Sequence, residues 1–197
     1  MSDKQLIRSF IAIELPPEVK SNISEVQAKI KSSRHNFIKW VSPQSIHLTL
    51  KFLGNINSQI VSNISGAIKD ASSEVSSFSI EIGGLGVFPN NNRPRVLWLG
   101  IGGEVEKLID LQRRIDDALM VFGFQKEKRP FSPHITLARV RDNATNSERS
   151  DFGGLIARTH SEVKSTVEIK SISLMRSQLW PTGAVYTRLA EVKLDQS

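Results

Sequence analysis

The chain has 197 residues, 39% of them hydrophobic, no cysteine and a formal net charge of +6. That length and apolar content suffice for one substantial core, or for two small lobes that share an interface. The missing cysteines exclude disulfides, thiol nucleophiles and Cys-ligated zinc, and no apolar stretch approaches the roughly 20 residues of a membrane span.

The first residues lack the apolar run of a signal peptide. With the absence of disulfides, this leads us to expect a cytoplasmic protein. The surplus positive charge favours a polyanionic partner such as RNA or a nucleotide. In chain order, residues 6–15 are dense in branched and aromatic side chains and read as a strand, stopped by Pro16 and Pro17. Val19, Ile23, Val26 and Ile30 then recur at helical spacing. A short strand over 37–41, a turn over 42–45 and a strand over 46–53 follow, the last ended by Gly54 and Asn55. A second helix is expected over 58–74. After it come a strand over 78–87, a loop at Asn90–Pro94 and a strand over 95–101. A third helix covers 104–122, with Leu108, Leu111, Ile115 and Leu119 inward. Beyond a basic connection lies a strand within 131–141, then a mobile polar loop over 142–149 and a short helix over 151–158. One long strand over 165–178, a turn at Trp180–Gly183 and a last strand over 184–194 close the chain as a hairpin.

Two of the four histidines sit in a repeated phrase: His47-Leu48-Thr49-Leu50 and His134-Ile135-Thr136-Leu137. In a strand, residues i and i+2 share a face. Each phrase therefore sets an imidazole beside a hydroxyl, with apolar side chains behind. Imidazole moves protons near neutral pH, and a hydroxyl donates to an oxyanion. Two such strands face to face supply an acid, a base and two anion-binding hydroxyls, the set that in-line attack on a phosphodiester needs. Neither phrase has the spacing of a metal site, so no metal and no cofactor is expected. Strand–helix segments recur in both halves, each with one H-x-T-L strand. We expect one domain over 1–197, α+β in class, with two pseudo-symmetric lobes of antiparallel sheet, helices outside and a central cleft.

On these motifs the sequence resembles the two-histidine phosphoesterase superfamily, defined by paired H-x-T-x motifs. Within it, the chain is similar to the bacterial and archaeal RNA 2′,3′-cyclic phosphodiesterases, also called 2′-5′ RNA ligases. The resemblance extends through Arg8–Leu15, HLTLKFLG from His47, PRVLWLG from Pro94, PFSPHITLAR from Pro130, and Arg176–Leu179 with Gly183 and Tyr186. It implies metal-free hydrolysis of a terminal 2′,3′-cyclic phosphate to a 2′-phosphomonoester, with 2′-5′ ligation when an RNA 5′-hydroxyl is the nucleophile in place of water. His47 would be the proton donor, His134 the proton acceptor, and Thr49 and Thr136 the phosphate ligands. The sequence by itself does not distribute the two histidine roles. The partners implied are RNA ends or small nucleotides. A monomer is expected, because no apolar helix face is left over. Alternatives are another small cyclic or 2′-5′ phosphoester, or a non-catalytic RNA- or nucleotide-binding module of the same fold.

Several further residues divide between the cleft and elsewhere. The resemblance implies a phosphate role for Arg139. An ideal strand would turn it away from His134, so a bulge or the strand end is needed to bring it round. Phe131 could stack on a base or pack in the core, and Trp40 reads as core. Arg8 and Lys51 face either the cleft or solvent. Arg93 and Arg95 border a basic loop. Gly83, Gly84 and Gly86 do not form a dinucleotide fingerprint. His35 and His160 lack a partner threonine and are expected on the surface.

Overall fold

A computed structural model describes residues 5–31, 35–159, 164–181 and 183–195. The elements are β1 (Leu6–Glu14), α1 (Pro17–Lys31), β2 (Ile38–Trp40), β3 (His47–Asn57), α2 (Val61–Ser72), β4 (Phe78–Phe88), β5 (Val96–Gly103), α3 (Val105–Ala118), β6 (His134–Val140), α4 (Asn146–Arg158), β7 (Ser165–Ile169), β8 (Ser171–Trp180) and β9 (Gly183–Lys193). All named strands pair antiparallel, in a four-stranded sheet ordered β3-β1-β8-β9 and a five-stranded sheet ordered β2-β6-β5-β4-β7. The α+β class and the two antiparallel sheets are those expected. No helix among the described residues is long and apolar enough to cross a membrane.

The sheets do not follow the halves of the chain. β2 leaves the first half to edge the second sheet, and the terminal hairpin β8–β9 completes the first. The helices are exchanged as well. α1 follows a strand of the first sheet yet holds the second. Gln27 at its centre donates to the carbonyls of Val41 (2.9 Å) and Leu137 (3.0 Å), and Asn22 reaches Ser165 of β7. α3 follows β5 of the second sheet yet packs on β3 of the first, alongside α2. Val19, Ile23, Val26 and Ile30 of α1 are buried, as are Ile64 and Ile68 of α2 and Leu108, Leu111 and Ile115 of α3. Each such side chain contributes about 1.5–3 kcal/mol by leaving water.

Three expectations are corrected. Gly54 does not end β3. It takes a positive φ of 70° at a register shift, and the strand resumes pairing with β1 as far as Asn57 opposite Leu6. Only a residue without Cβ adopts that φ freely. The strand expected over 165–178 is two, divided at Lys170: Val167 and Ile169 are buried in the second sheet and Ile172 and Leu174 in the first. Half of the polar loop expected over 142–149 is helix. α4 begins at Asn146 behind a capping box, with Glu148 N–H donating to the Thr145 hydroxyl (3.2 Å) and Thr145 N–H to the Glu148 carboxylate (2.7 Å). T-x-x-E is the sequence signature of that cap. The guanidinium of Arg149 ties the stretch down by donating to the carbonyls of Ala144, Pro94 and Arg141.

Candidate active site

The two H-x-T-L strands adjoin across the sheets, and each carries a bulge at the same place. On β3, His47 lies opposite Glu14 and Thr49 opposite Ala12, but Ile11 pairs with Lys51, so Leu50 is the extra residue. On β6, His134 lies opposite Gly100 and Thr136 opposite Trp98, but Leu97 pairs with Ala138, so Leu137 is extra. A bulge reverses the alternation of faces. Leu50 and Lys51 are therefore both buried, as are Leu137 and Ala138. The next residue returns to the His–Thr face: Phe52 on β3 and Arg139 on β6, both exposed. This is the bulge that Arg139 required. The carbonyl of the extra residue Leu137 is occupied by Gln27 Nε2 and by the backbone N–H of Val41 (2.9 Å).

Lys51, expected in the cleft or in solvent, is in neither. It is 4% exposed, its ammonium pairs with Asp116 of α3, and it donates to the Gln125 carbonyl at 2.9 Å. The bulge turns it into the core, where only a buried carboxylate makes an ammonium tolerable.

Both imidazoles are held alike. His47 Nδ1 lies 2.8 Å from the Ser45 carbonyl and His134 Nδ1 2.7 Å from the Ser132 carbonyl. A carbonyl only accepts, so Nδ1 carries a proton in each ring and Nε2 is left for chemistry. The anchors recur because the repeat is longer than four residues: Pro43-Gln44-Ser45-Ile46-His47-Leu48-Thr49-Leu50 and Pro130-Phe131-Ser132-Pro133-His134-Ile135-Thr136-Leu137 share P-x-S-x-H-x-T-L. Residues Pro43–Ser45 form a 3₁₀ turn, and the Ser45 hydroxyl donates to the Ala184 carbonyl at 3.1 Å. That bond ties the terminal hairpin to the entrance of β3.

The walls are aromatic. Phe10 lies 4.7 Å from the His47 ring and Tyr186 meets it edge-on at 5.1 Å. Phe88 meets His134 edge-on at 5.1 Å and lies 5.0 Å from Trp98. A Cβ on Gly86 would come within 2.2 Å of the Trp98 ring, so the glycine there makes room for the indole. Burial pushes the His47 pKa below that of a free imidazole, and the positive charge of Lys20 adds to this. The Ser45 carbonyl and the Glu14 charge act the other way without prevailing. Burial also pushes Glu14 up, but hydrogen bonds from Arg188 (2.7 Å) and Ser173 (2.5 Å) hold it below the usual carboxylate range. Burial raises the Tyr186 phenol, with the charges of Arg139 and Arg8 opposing. The charge of Arg139, on the second sheet, thus reaches Tyr186, which touches His47 of the first.

The remaining candidates fall elsewhere. Phe131 is half-buried and packs against the main core, as does Trp40, whose ring Lys31 covers at 5.1 Å. Arg93 and Arg95 are exposed beside the loop between β4 and β5. His35 is not a plain surface residue: it packs against Phe37 and Phe152, at 5.2 and 5.4 Å. The other histidine expected on the surface, His160, lies outside the described residues. An open aromatic on the His47 side is Phe52, 59% exposed and 6.2 Å from Phe10, which touches the His47 ring. Sequence reading missed it, along with Phe10, Phe88 and the Ser45 and Ser132 carbonyls. The longer P-x-S-x-H repeat was the available signal for the last two. Among the described residues no three His, Asp or Glu side chains converge as a metal site would.

A family model described as LigT like phosphoesterase matches residues 13–98 and 100–186, one H-x-T strand in each stretch. The chain is 32% identical to the RNA 2′,3′-cyclic phosphodiesterase of Methanothermobacter thermautotrophicus over 95% of its own length and 99% of the relative's. It is also 32% identical to that of Thermotoga maritima, over 96% of each. Among solved structures it resembles TT0787 of Thermus thermophilus with a TM-score of 0.77 at 28% identity, covering 96% of this chain and 99% of that one. It resembles E. coli LigT complexed with 3′-AMP with a TM-score of 0.78 at 25% identity, covering 98% and 100%.

Proposed function

The chain belongs to the LigT-like phosphoesterase family, and we propose that it hydrolyses RNA 2′,3′-cyclic phosphate ends to 2′-phosphomonoesters without a metal. One observation carries the reading: two His–Thr pairs on bulged strands, each imidazole pinned through Nδ1 with Nε2 left free. A water oxygen attacks phosphorus while the bond to the 3′-oxygen breaks. His134 Nε2 takes the water proton, and His47 Nε2 delivers one to the leaving oxygen. Thr49, Thr136 and Arg139 hold the non-bridging oxygens and stabilise the charge that builds on them. The lowered pKa of His47 suits the donor role. An imidazolium of low pKa gives up its proton readily, and the anionic phosphate on entry helps to load it. An RNA 5′-hydroxyl attacking the same cyclic phosphate in place of water, with the 3′-oxygen again leaving, would give a 2′-5′ linkage. The same reading takes RNA ends or small nucleotides as partners of a cytoplasmic monomer.

Phosphorus NMR of a short RNA with a 2′,3′-cyclic end, incubated with protein and excess chelator, tests this. The expected product is a 2′-phosphate. His47→Ala and His134→Ala should each lower the rate by about 10²–10⁴ while nucleotide binding survives. An unchanged cyclic phosphate, or full activity in either variant, would overturn it.

A further inference from the structure

Arg139 has a neighbour that the reaction at the cyclic phosphate does not use. β2 is the edge strand beside β6, and Lys39 lies directly opposite Arg139 in the register. On β2, Ile38 is buried and Trp40 packs on the core, so Lys39 stands on the other face, with Arg139 and Val96. Side chains directly opposite in an antiparallel pair sit about 5 Å apart at Cβ, and like charges there repel. Lys39 and Arg139 are both exposed, and among the described residues neither has a carboxylate partner. Some other exposed cations are paired. Arg188 holds Glu14 and Glu191, Arg114 holds Asp110 and Glu74, and Lys170 holds Glu168. The one strand pair running from the His134 strand to the rim thus sets two like charges together unrelieved. An anion beside them removes the repulsion.

We infer that Lys39, beside Arg139, forms a second phosphate subsite that receives a backbone phosphate of the RNA chain next to the cyclic end. The inference rests on the hydrolase reading above and adds to it a preference for an oligonucleotide over a cyclic mononucleotide. Arg139 serves the reacting phosphate, and Lys39, one strand further out, takes the next.

The test compares kcat/KM for cytidine 2′,3′-cyclic phosphate, which has no other phosphate, with that for a tetraribonucleotide ending in the same group. Lys39→Ala should lower the value for the tetranucleotide about fivefold, as expected of a partly exposed charge contact. Lys39→Glu should lower it further and Lys39→Arg restore it, all three leaving the mononucleotide within about twofold of wild type. The dependence of log kcat/KM on log salt should flatten by about 0.7 for the tetranucleotide in Lys39→Ala and stay unchanged for the mononucleotide. Lys170→Ala, at another edge, should alter neither substrate. Equal losses on both substrates, or no loss on the tetranucleotide, would overturn the subsite. If wild type turns over neither substrate, the hydrolase reading falls instead. The subsite is then tested by fluorescence anisotropy of a labelled tetraribonucleotide with a 3′-phosphate: weaker binding by Lys39→Glu upholds it, and equal binding refutes it.

Discussion

Replacing Lys51 by Met should destabilise the protein far more than a one-residue change on a strand ordinarily does. The lysine is 4% exposed, its ammonium pairs with Asp116, and the Asp116 side chain is 10% exposed. Met keeps most of the apolar stem and removes the charge and its N–H donors. Asp116 is then left as a buried carboxylate without a counterion, a loss of about 3–5 kcal/mol. The Gln125 carbonyl, 2.9 Å from the lysine nitrogen, loses its donor at about 1 kcal/mol more. Against a total stability of about 5–15 kcal/mol, with about 2–4 °C of Tm per kcal/mol at this size, the variant should melt roughly 8–24 °C lower. Removing both charges in Lys51→Met/Asp116→Leu eliminates the stranded carboxylate. That double variant should recover to within about 2 kcal/mol of wild type, because a buried pair replaced by apolar groups of similar volume costs little. Urea unfolding followed by circular dichroism measures all three proteins. A single variant within about 1 kcal/mol of wild type, or a double variant no better than the single, would refute the account of why the bulge tolerates a lysine.

Because burial lowers the His47 pKa and the proposed donor must be charged in the free enzyme, kcat/KM should fall as pH rises through that lowered value. The alkaline limb then lies below the ordinary imidazole pKa of about 6.5, and a profile flat from pH 5 to 9 would contradict it. The same shift has a stability consequence of definite sign. The unfolded imidazole binds its proton first as pH falls, so the stability that rests on a neutral His47 is present above about pH 6.5 and is lost below it. The drop in urea midpoint between pH 7.5 and 5 should shrink in His47→Gln. Gly86→Ala places a methyl within 2.2 Å of the Trp98 ring. It should cost about 1–3 kcal/mol and slow turnover, since Trp98 is the cross-strand partner of Thr136. Phe52→Ala, at a 59% exposed position, should change stability by less than about 0.5 kcal/mol. If Phe52 supports a base, the same variant should raise KM for RNA by about tenfold.

How much was legible in the sequence depends on the scale of the feature. The H-x-T-L pair announces itself because period-two alternation is a local rule, and the inward faces of α1, α2 and α3 follow equally from helical spacing. The bulges are not legible in this way. Leu50 and Leu137 look like ordinary strand residues, and only the facing register of Ile11 against Lys51, and of Leu97 against Ala138, shows the extra residue. That one-residue shift decides Lys51, Phe52 and Arg139 together. The division at Lys170 is hidden for a related reason: Val167, Ile169, Ile172 and Leu174 have the same composition in either sheet. Exchange of α1 and α3 between the sheets is a tertiary arrangement without a local signal. By contrast, the Thr145–Glu148 cap and the P-x-S-x-H extension were present in the sequence as local patterns.

The pairing of β1 with β8 bears on when the protein can work. Strand β1 lies near the start of the chain, and its second neighbour lies near the other end. Tyr186, which closes over His47, arrives on the last strand of all. Contacts so distant in sequence form late, because a long loop must close before they return any energy. On the ribosome, both histidines and both threonines have been synthesised while the first sheet still lacks half its strands. A nascent chain therefore carries both His–Thr pairs without the completed sheet that orders one of them, and on the proposed reading it becomes competent only after the β8–β9 hairpin has docked.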